Sequence, residues 1–440
     1  MIFLESRPKR TLSGVHVMKK LILLITTGFL YCLQCHGDAS LPALTITKAV
    51  QDALVRKPSV HAFAYGIKSA ERQRKTTLSA YLPQISLNET FYDAKNSLNI
   101  KDSFGIQARQ TVINLATYDS YKASSASVSS ARHQKESHKD TIRLATEAAF
   151  LNGWVLQQKI ESIVLLYNSS KEQFEKAKNQ HKLNLLNKND WLKAQAAYSQ
   201  NLAIIDSYRD EVAEAEQTIE YYTGNKLLIA PSKIKSAPLT KLDWSAQQKI
   251  AVEKLSYYYK KALEHRKEIK IKQDTIDAES HTSQFYVKQY LPTVGISACA
   301  AKNTSRTGNS SWSKSASISI SWNIFDGLSN YFNKTAADAR KMKAILEKND
   351  LVAQVKLEVQ SAYTALQKEI SAIASQNVSF TQSDNEFTLN KQQFDAGLIS
   401  GVDFQTAKSI YETARFTWLS QVALTALKKQ VLLNACGYGD

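Results

Sequence analysis

Proline and glycine are scarce, at 7 and 14 of 440 residues. Proline lacks a backbone N–H and glycine is conformationally loose, so both interrupt regular structure. Their scarcity excludes a linker-rich or collagen-like chain and leaves room for long unbroken elements. Cysteine is scarcer still, at four. Cys32 and Cys35 fall in an N-terminal apolar segment, which leaves Cys299 and Cys436 and excludes a disulfide framework. Catalytic signatures are missing as well: there is no Gly-x-Ser-x-Gly, no His-Glu-x-x-His and no phosphate-binding glycine loop. His133 and His138 are five apart, on different faces of a helix, and no histidine has a cysteine or carboxylate at ligand spacing. The sequence therefore predicts no enzyme, no metal and no cofactor.

What is present begins at the N-terminus. Met18-Lys19-Lys20, an apolar run from Leu21 to Leu33 and small or polar residues up to Gly37-Asp38-Ala39 have the three-part layout of a secretory signal peptide. The run is shorter than the roughly 20 apolar residues a membrane-crossing helix needs. Residues 1–39 are read as an extension plus signal peptide, with Met18 an alternative start and cleavage expected after Ala39. Net charge is +16, and removing residues 1–39 with their five Lys/Arg and two Asp/Glu leaves +13. The excess is spread along helical stretches and is not clustered with stacking aromatics, so solvated helix faces and anionic lipid headgroups account for it and no nucleic-acid partner is expected.

The remaining chain repeats itself. Ala80-Tyr81-Leu82-Pro83 returns as Gln289-Tyr290-Leu291-Pro292, Asp190-Trp191-Leu192 as Asp403-Phe404-Gln405, and Ile113-Asn114-Leu115 loosely as Ile324-Phe325-Asp326. Three matches in the same order indicate duplication. The first repeat is placed at 40–222, a connector with Gly224, Pro231 and Pro238 at 223–245, the second repeat at 246–435 and a tail at 436–440.

Each repeat reads as helix, two strands, very long helix, short break, helix. Residues 44–80 have a helical pattern that Pro83 stops. Apolar and polar residues then alternate over about 84–92 and 103–113, and again over about 293–302 and 314–324, where Ile318, Ile320 and Ile324 interleave with Ser317, Ser319 and Ser321. Strands of about ten residues with one apolar face match the length that crosses a bilayer at a tilt. Trp312, Trp322, Phe91 and Phe325 near the strand ends suit an interfacial girdle. The long helices are predicted over 118–182 and 328–395 with coiled-coil seams through Ile142, Ala149, Leu156, Ile163 and Phe174, and through Val352, Val359, Leu366, Phe380, Phe387 and Phe394. At about 1.5 Å per residue they reach roughly 90–100 Å.

The break in the second repeat runs Asp395-Ala396-Gly397-Leu398-Ile399-Ser400-Gly401-Val402-Asp403. Gly397 suits a left-handed helix end, and Ser400 with Asp403 three residues later suits a capped start. Asn184, Asn187 and Asp190 take the same places in the first repeat, asparagine tolerating the left-handed site and capping as serine does. Both repeats are predicted to form one kind of hairpin tip, which Gly397→Pro or Gly401→Pro would disrupt.

The Gly-x-x-Ser-x-x-Asp-aromatic tip, the Tyr-Leu-Pro before paired strands at Tyr81-Leu82-Pro83 and Tyr290-Leu291-Pro292, and the duplicated element order resemble the TolC family over roughly residues 44–435. The resemblance implies a mainly α fold with a transmembrane β-barrel portion, in which long coiled-coil helices form an α-barrel and four strands per protomer contribute to a twelve-stranded barrel. It further implies a homotrimer in outer-membrane lipid, reached through a cleaved signal peptide, and a passive exit duct for a tripartite efflux pump or type I secretion. On that reading Asn184, Asn187, Asp190, Gly397, Leu398, Ser400 and Asp403 form the periplasmic tip that meets an adaptor protein and an inner-membrane pump. Asp403, and more weakly Asp395, would then attract cations at a pore gate; a second acidic residue found one turn later in some members is replaced by Thr406. The alternative is a periplasmic coiled-coil adaptor or scaffold, which shares the heptads but has no use for four bilayer-length amphipathic strands.

Overall fold

A computed structural model describes residues 45–92, 100–224 and 253–437. The predicted signal peptide and all of the connector beyond Gly224 lie outside the described residues. The elements run α1 (Ile46–Arg56), α2 (Pro58–Ser79), β1 (Gln84–Phe91), β2 (Ile100–Ile113), α3 (Leu115–Lys182), α4 (Lys188–Thr223), α5 (Leu255–His265), α6 (Lys267–Lys288), β3 (Thr293–Ser305), β4 (Ser310–Ser321), α7 (Ser329–Asp395) and α8 (Gly401–Ala435). The second six repeat the first six. The long helices α3 and α7 have 68 and 67 residues, about 100 Å each at roughly 1.5 Å per residue. Near the strands α3 packs on α2 and α6 and α7 packs on α6; towards the other end α3 packs on α4 and α8, and α7 on α8.

The stretch 44–80 is two helices, not one. Pro58 opens α2, where its missing N–H costs nothing, and Lys57 before it is extended at φ −66, ψ 119. The second repeat breaks at the same place without a proline: Arg266, at φ −58, ψ 119, lies 209 residues after Lys57. Both cations reach the C-terminal end of the repeat's last helix. Lys57 Nζ donates to the Tyr221 carbonyl at 2.7 Å and Arg266 Nη1 to that of Ala435 at 3.2 Å. Those carbonyls carry the negative end of the helix dipole and have no partner within the helix. Gly224 and Gly437, 213 residues apart, follow with φ of 68 and 76. Arg266 also pairs with Glu268 at 2.9 Å and Glu358 at 2.7 Å. Burial pushes the Glu268 carboxyl up, but the Arg266 guanidinium and a hydrogen bond from Ser137 outweigh it and hold it below the usual range. Arg266→Ala removes a largely buried cation from three partners and should cost about 2 kcal/mol, read as a lower unfolding midpoint in detergent. Because the Glu268 pKa is depressed, its share of the stability is present at neutral pH and is lost as pH falls below about 4.5.

The apolar core is largest beside this junction. Ala262, Ile269, Val355, Val359, Ala362, Leu366, Leu432, Ala435 and Cys436 form one buried cluster, whereas the matching region of the first repeat holds small ones such as Ala49, Phe150 and Ile219. Burial raises the Cys436 thiol to about 11 against the opposing pull of Arg266, so it stays neutral. Cys299 and Cys436 are both free thiols.

In α7 the expected seam holds through Val355, Val359, Leu366 and Ile373. In the lower part of α3 the most buried line is Ser162, Leu166, Ser170 and Ala177, displaced from the expected Ile163 and Phe174, which are half-buried. A helix gripped by α4 on one side and α8 on the other needs two seams, and the one facing α8 is polar. Ser162 Oγ donates to Glu412 at 2.8 Å, Ser169 Oγ to Gln405 at 2.6 Å, and Gln405 Nε2 to the Leu166 carbonyl at 3.3 Å.

The four strands form one antiparallel sheet in the order β1-β2-β3-β4. β2 begins at Ile100 and β4 spans Ser310–Ser321, so the strands predicted at 103–113 and 314–324 start earlier, and Trp322 and Ile324 lie just past the last ladder residue. Cross-strand rows define the faces. Ile85, Ala108, Ala298 and Ala316 share a row on one face, and Leu87, Ile106, Ala300 and Lys314 share the next. On the opposite face Gln84, Arg109, Ser297 and Ser317 form one row and Ser86, Gln107, Cys299 and Ser315 another. Among the described residues neither face has a helix across it, and Ile85, Leu87, Ile318 and Ile320 stand 65–77% exposed. Among the described residues no helix is long and apolar enough to cross a membrane.

The two Tyr-Leu-Pro motifs turn the chain from helix to strand and tie that turn to the next long helix. Tyr81 Oη donates to the carbonyl of Asn114, the N-cap of α3, and Tyr290 Oη reaches Asp326, whose Oδ2 accepts from Asn330 in the first turn of α7. Gln110 Nε2 and Trp322 Nε1 donate back to the Tyr81 and Tyr290 carbonyls at 3.1 and 2.8 Å.

Candidate functional site: the paired hairpin tips

At the far end of the long helices the chain turns back twice, by the same hydrogen bonds. Asn184 sits at φ 57 and Gly397 at φ 72. Leu185 N donates to Gln180 O and Asn184 N to His181 O; Leu398 N donates to Gln393 O and Gly397 N to Phe394 O. This crossed pair is the Schellman ending, which requires a left-handed residue. Asn187 and Ser400 then cap α4 and α8, their side chains accepting from Asp190 N at 2.8 Å and Asp403 N at 3.1 Å. Each cap also donates to its aspartate, Asn187 Nδ2 to Asp190 and Ser400 Oγ to Asp403, both at 2.7 Å. The carboxylates thereby lie in the first helical turn, where the dipole favours them.

The geometry brings Asn184, Asn187 and Asp190 together in one tip and Gly397, Leu398, Ser400 and Asp403 in the other. Asp395 ends α7 beside the second tip. Tyr81, Leu82, Pro83, Tyr290, Leu291 and Pro292 are at the opposite end of the long helices and belong to the sheet junction. Leu398 is 75% exposed, and its counterpart Leu185, a residue the sequence pattern did not single out, is 74% exposed. Applying the 213-residue offset one position beyond Asn184 finds it. Two apolar side chains held in water on rigid turns suit contact with a partner.

Behind the tips an aromatic ladder stiffens each hairpin. Phe394 stacks on Phe404 at 4.5 Å, Phe387 on Tyr411 at 4.9 Å and Phe380 on Trp418 at 5.3 Å. The first repeat has His181 on Trp191 at 5.3 Å and Phe174 on Tyr198 at 5.3 Å. The seven-residue steps of Phe380, Phe387 and Phe394 are thus packing against the returning helix, with offset stacks worth about 0.5–1.5 kcal/mol each. The second tip rests on the first hairpin at Gly401, whose missing Cβ would stand 2.2 Å from Gln173 Oε1 of α3. A cavity of about 420 Å³ between α3, α4 and α8 continues from there past Gln405 to Glu412 and Tyr208.

The left-handed site itself gives a test. Asn184→Gly should be neutral or slightly stabilising, whereas Asn184→Val, which places a β-branched residue at positive φ, should cost about 1–2 kcal/mol. Hydrogen exchange of the Leu185 amide would report the difference.

His133 pairs with Asp274 at 2.8 Å and His138 with Ser59 at 2.8 Å, both across helix interfaces. Among the described residues no group of three His, Cys, Asp or Glu side chains is placed to hold a metal.

Comparison with known proteins agrees with this architecture. Residues 258–431 match the family model described as outer membrane efflux protein. No curated protein matches the sequence. Among solved structures, the chain is similar to the CmeC outer membrane channel of Campylobacter jejuni (15% identity, 89% of this chain and 85% of that one, TM-score 0.69). It is also similar to the MtrE outer membrane channel of Neisseria gonorrhoeae in its open state (15% identity, 90% and 89%, TM-score 0.70). The outer membrane protein VceC of Vibrio cholerae is a third (14% identity, 89% and 96%, TM-score 0.66). Residues 258–431 thus carry the likeness to the outer membrane efflux protein family, and the fold is one shared over nearly the whole chain with solved outer membrane channels.

Proposed function

We propose that three copies of this chain close into one twelve-stranded barrel in the outer membrane and one helical tunnel beneath it, forming a passive exit duct. The observation that carries this is the sheet: β1 and β4 each have one neighbour, and one face is uncovered and mostly apolar next to the helices, around Ile85, Leu87, Ile318 and Ile320, with charges only from Lys314 in the Leu87 row towards its far end. Open edges cannot stand in hydrocarbon, where each unpaired backbone group costs several kcal/mol. Three such sheets joined edge to edge remove every open edge, turn Ile85, Leu87, Ile318 and Ile320 to lipid and leave the serine-rich face to water.

The α3–α4 and α7–α8 tips then point into the periplasm, where Leu185 and Leu398 dock a periplasmic adaptor, and an energised inner-membrane pump delivers the cargo. Asp190 and Asp403 serve first as helix-start acids, and three copies of each ring the tunnel mouth. Residues 1–39 act as the export signal. The duct suits a tripartite efflux pump or a type I secretion system equally, since nothing in the chain supplies energy.

The test is to separate inner and outer membranes on a density gradient and measure the oligomeric mass of the unboiled protein. A trimer in the outer-membrane fraction that conducts ions in a planar bilayer is expected. A soluble periplasmic monomer would overturn the duct and favour the adaptor reading.

A further inference from the structure

Among the described residues the polar face of the sheet carries two charged side chains, both cationic: Lys101 near the start of β2 and Arg109 near its end. The row of Arg109 is completed by Gln84, Ser297 and Ser317. The rows on either side hold only Ser, Gln, Cys, Thr and Gly. Arg109 is exposed, and among the described residues it has no ion-pair or hydrogen-bond partner. It is therefore no clamp for its own sheet. Its place is also defined: β2 ends at Ile113 and α3 begins at Leu115, so Arg109 lies where the strands hand over to the helices.

We infer that Arg109 is the charge filter of the barrel, a specificity-determining residue that favours anionic over cationic solutes. The inference rests on the trimeric duct proposed above, in which the polar face lines the lumen and three Arg109 side chains form one ring at the junction of barrel and tunnel. The rows beside Arg109 are neutral hydroxyls and amides and the other charge on this face, Lys101, is a cation at the far end of β2, so the ring is unopposed. Rings of like charge set ion selectivity by raising the local concentration of the opposite ion. The reach of the effect is the Debye length, about 30 Å at 0.01 M salt, about 10 Å at 0.1 M and about 3 Å at 1 M. The field of the ring fills the lumen in dilute salt and shrinks to the wall in concentrated salt.

The experiment is the reversal potential of the purified full-length trimer in planar bilayers under a tenfold KCl gradient at low salt, for wild type, Arg109→Lys, Arg109→Gln and Arg109→Glu. Wild type and Arg109→Lys should agree. Arg109→Gln should shift the permeability ratio towards K⁺ by on the order of twofold, and Arg109→Glu should shift it further in the same direction, both differences vanishing near 1 M salt. The carboxylates at the tips are common to all four proteins and cancel from the comparison. A packing role would follow side-chain size and shape and would not separate Lys from Gln by sign of charge. Equal reversal potentials from four conducting trimers would overturn the filter and leave the duct standing. No trimer and no conductance from wild type would overturn the duct itself, and the filter with it.

Discussion

Gly397→Pro is expected to abolish transport while leaving the trimer in the outer membrane. At φ 72 the position is closed to proline, whose ring holds φ near −65°. The substitution also removes the Gly397 N–H that donates to Phe394 O at 2.9 Å. Space is not the obstacle, since nothing lies within 4 Å of where a Cβ would stand; the backbone is. Losing the Schellman ending unwinds the last turn of α7 and moves Leu398 and the Ser400 cap together, at a cost of about 3 kcal/mol. That cost stays local, because the aromatic stack of Phe394 on Phe404 and the helices behind it are about 100 Å from the sheet. Gly397→Asn is the control: asparagine occupies the same position in the first tip, as Asn184 at φ 57, and should retain transport.

Gly401→Pro is different, contrary to the expectation from sequence that both prolines act alike. Gly401 is the first residue of α8, directly after the Ser400 cap, where proline is favoured because its N–H is not used. A Cβ there meets the end of the flexible Gln173 side chain. Gly401→Pro should keep most of its transport, and Gln173→Ala should restore any loss. Both variants are scored by drug susceptibility in cells lacking their own channel, alongside membrane fractionation. Full transport by Gly397→Pro would remove the tip from the mechanism.

The tips were legible in the sequence because their chemistry is local. A left-handed residue, a capping side chain and an acid three positions on each satisfy backbone groups within a few residues. The strands were legible because apolar residues alternate with polar ones along them, as in Ile85 and Leu87 of β1 and Ile318 and Ile320 of β4. The equatorial junction was not. Pro58 biases Lys57 away from the helix and so marks the break, a signal the surrounding helical periodicity masks, but nothing in the sequence says that Lys57 will reach Tyr221, 164 residues away. Its counterpart Arg266 has no proline to mark it at all. Pairing Gly224 with Gly437, at the tip offset of 213 residues, was the available clue: both end a helix at positive φ. The polar seam between α3 and α8 was hidden for a related reason. Ser162, Ser169, Gln405 and Glu412 look like exposed positions until the second hairpin is laid against the first, and only long-range packing does that.

Leu366→Ala is expected to produce the largest loss of stability of any single truncation, about 2–5 kcal/mol, by lost burial and by the cavity left behind. Leu366 is 1% exposed and belongs to the nine-residue cluster that joins α5, α6, α7 and α8. The same truncation in the first repeat, Ile219→Ala, faces a cluster of three buried residues and should cost less, because a small cluster closes more readily on the space left. The two repeats therefore divide the work unequally, the second holding the protomer together at its equator. Thermal unfolding of the purified protein would show the difference as a lower midpoint for Leu366→Ala than for Ile219→Ala, while single-channel conductance of the surviving trimers stays at the wild-type value. Gly397→Pro should give the reverse pattern, an unchanged midpoint with lost transport. Coincidence of the two effects in either variant would mean that the equator and the tip unfold as one unit, and that stability and gating cannot be assigned to different ends of the helices.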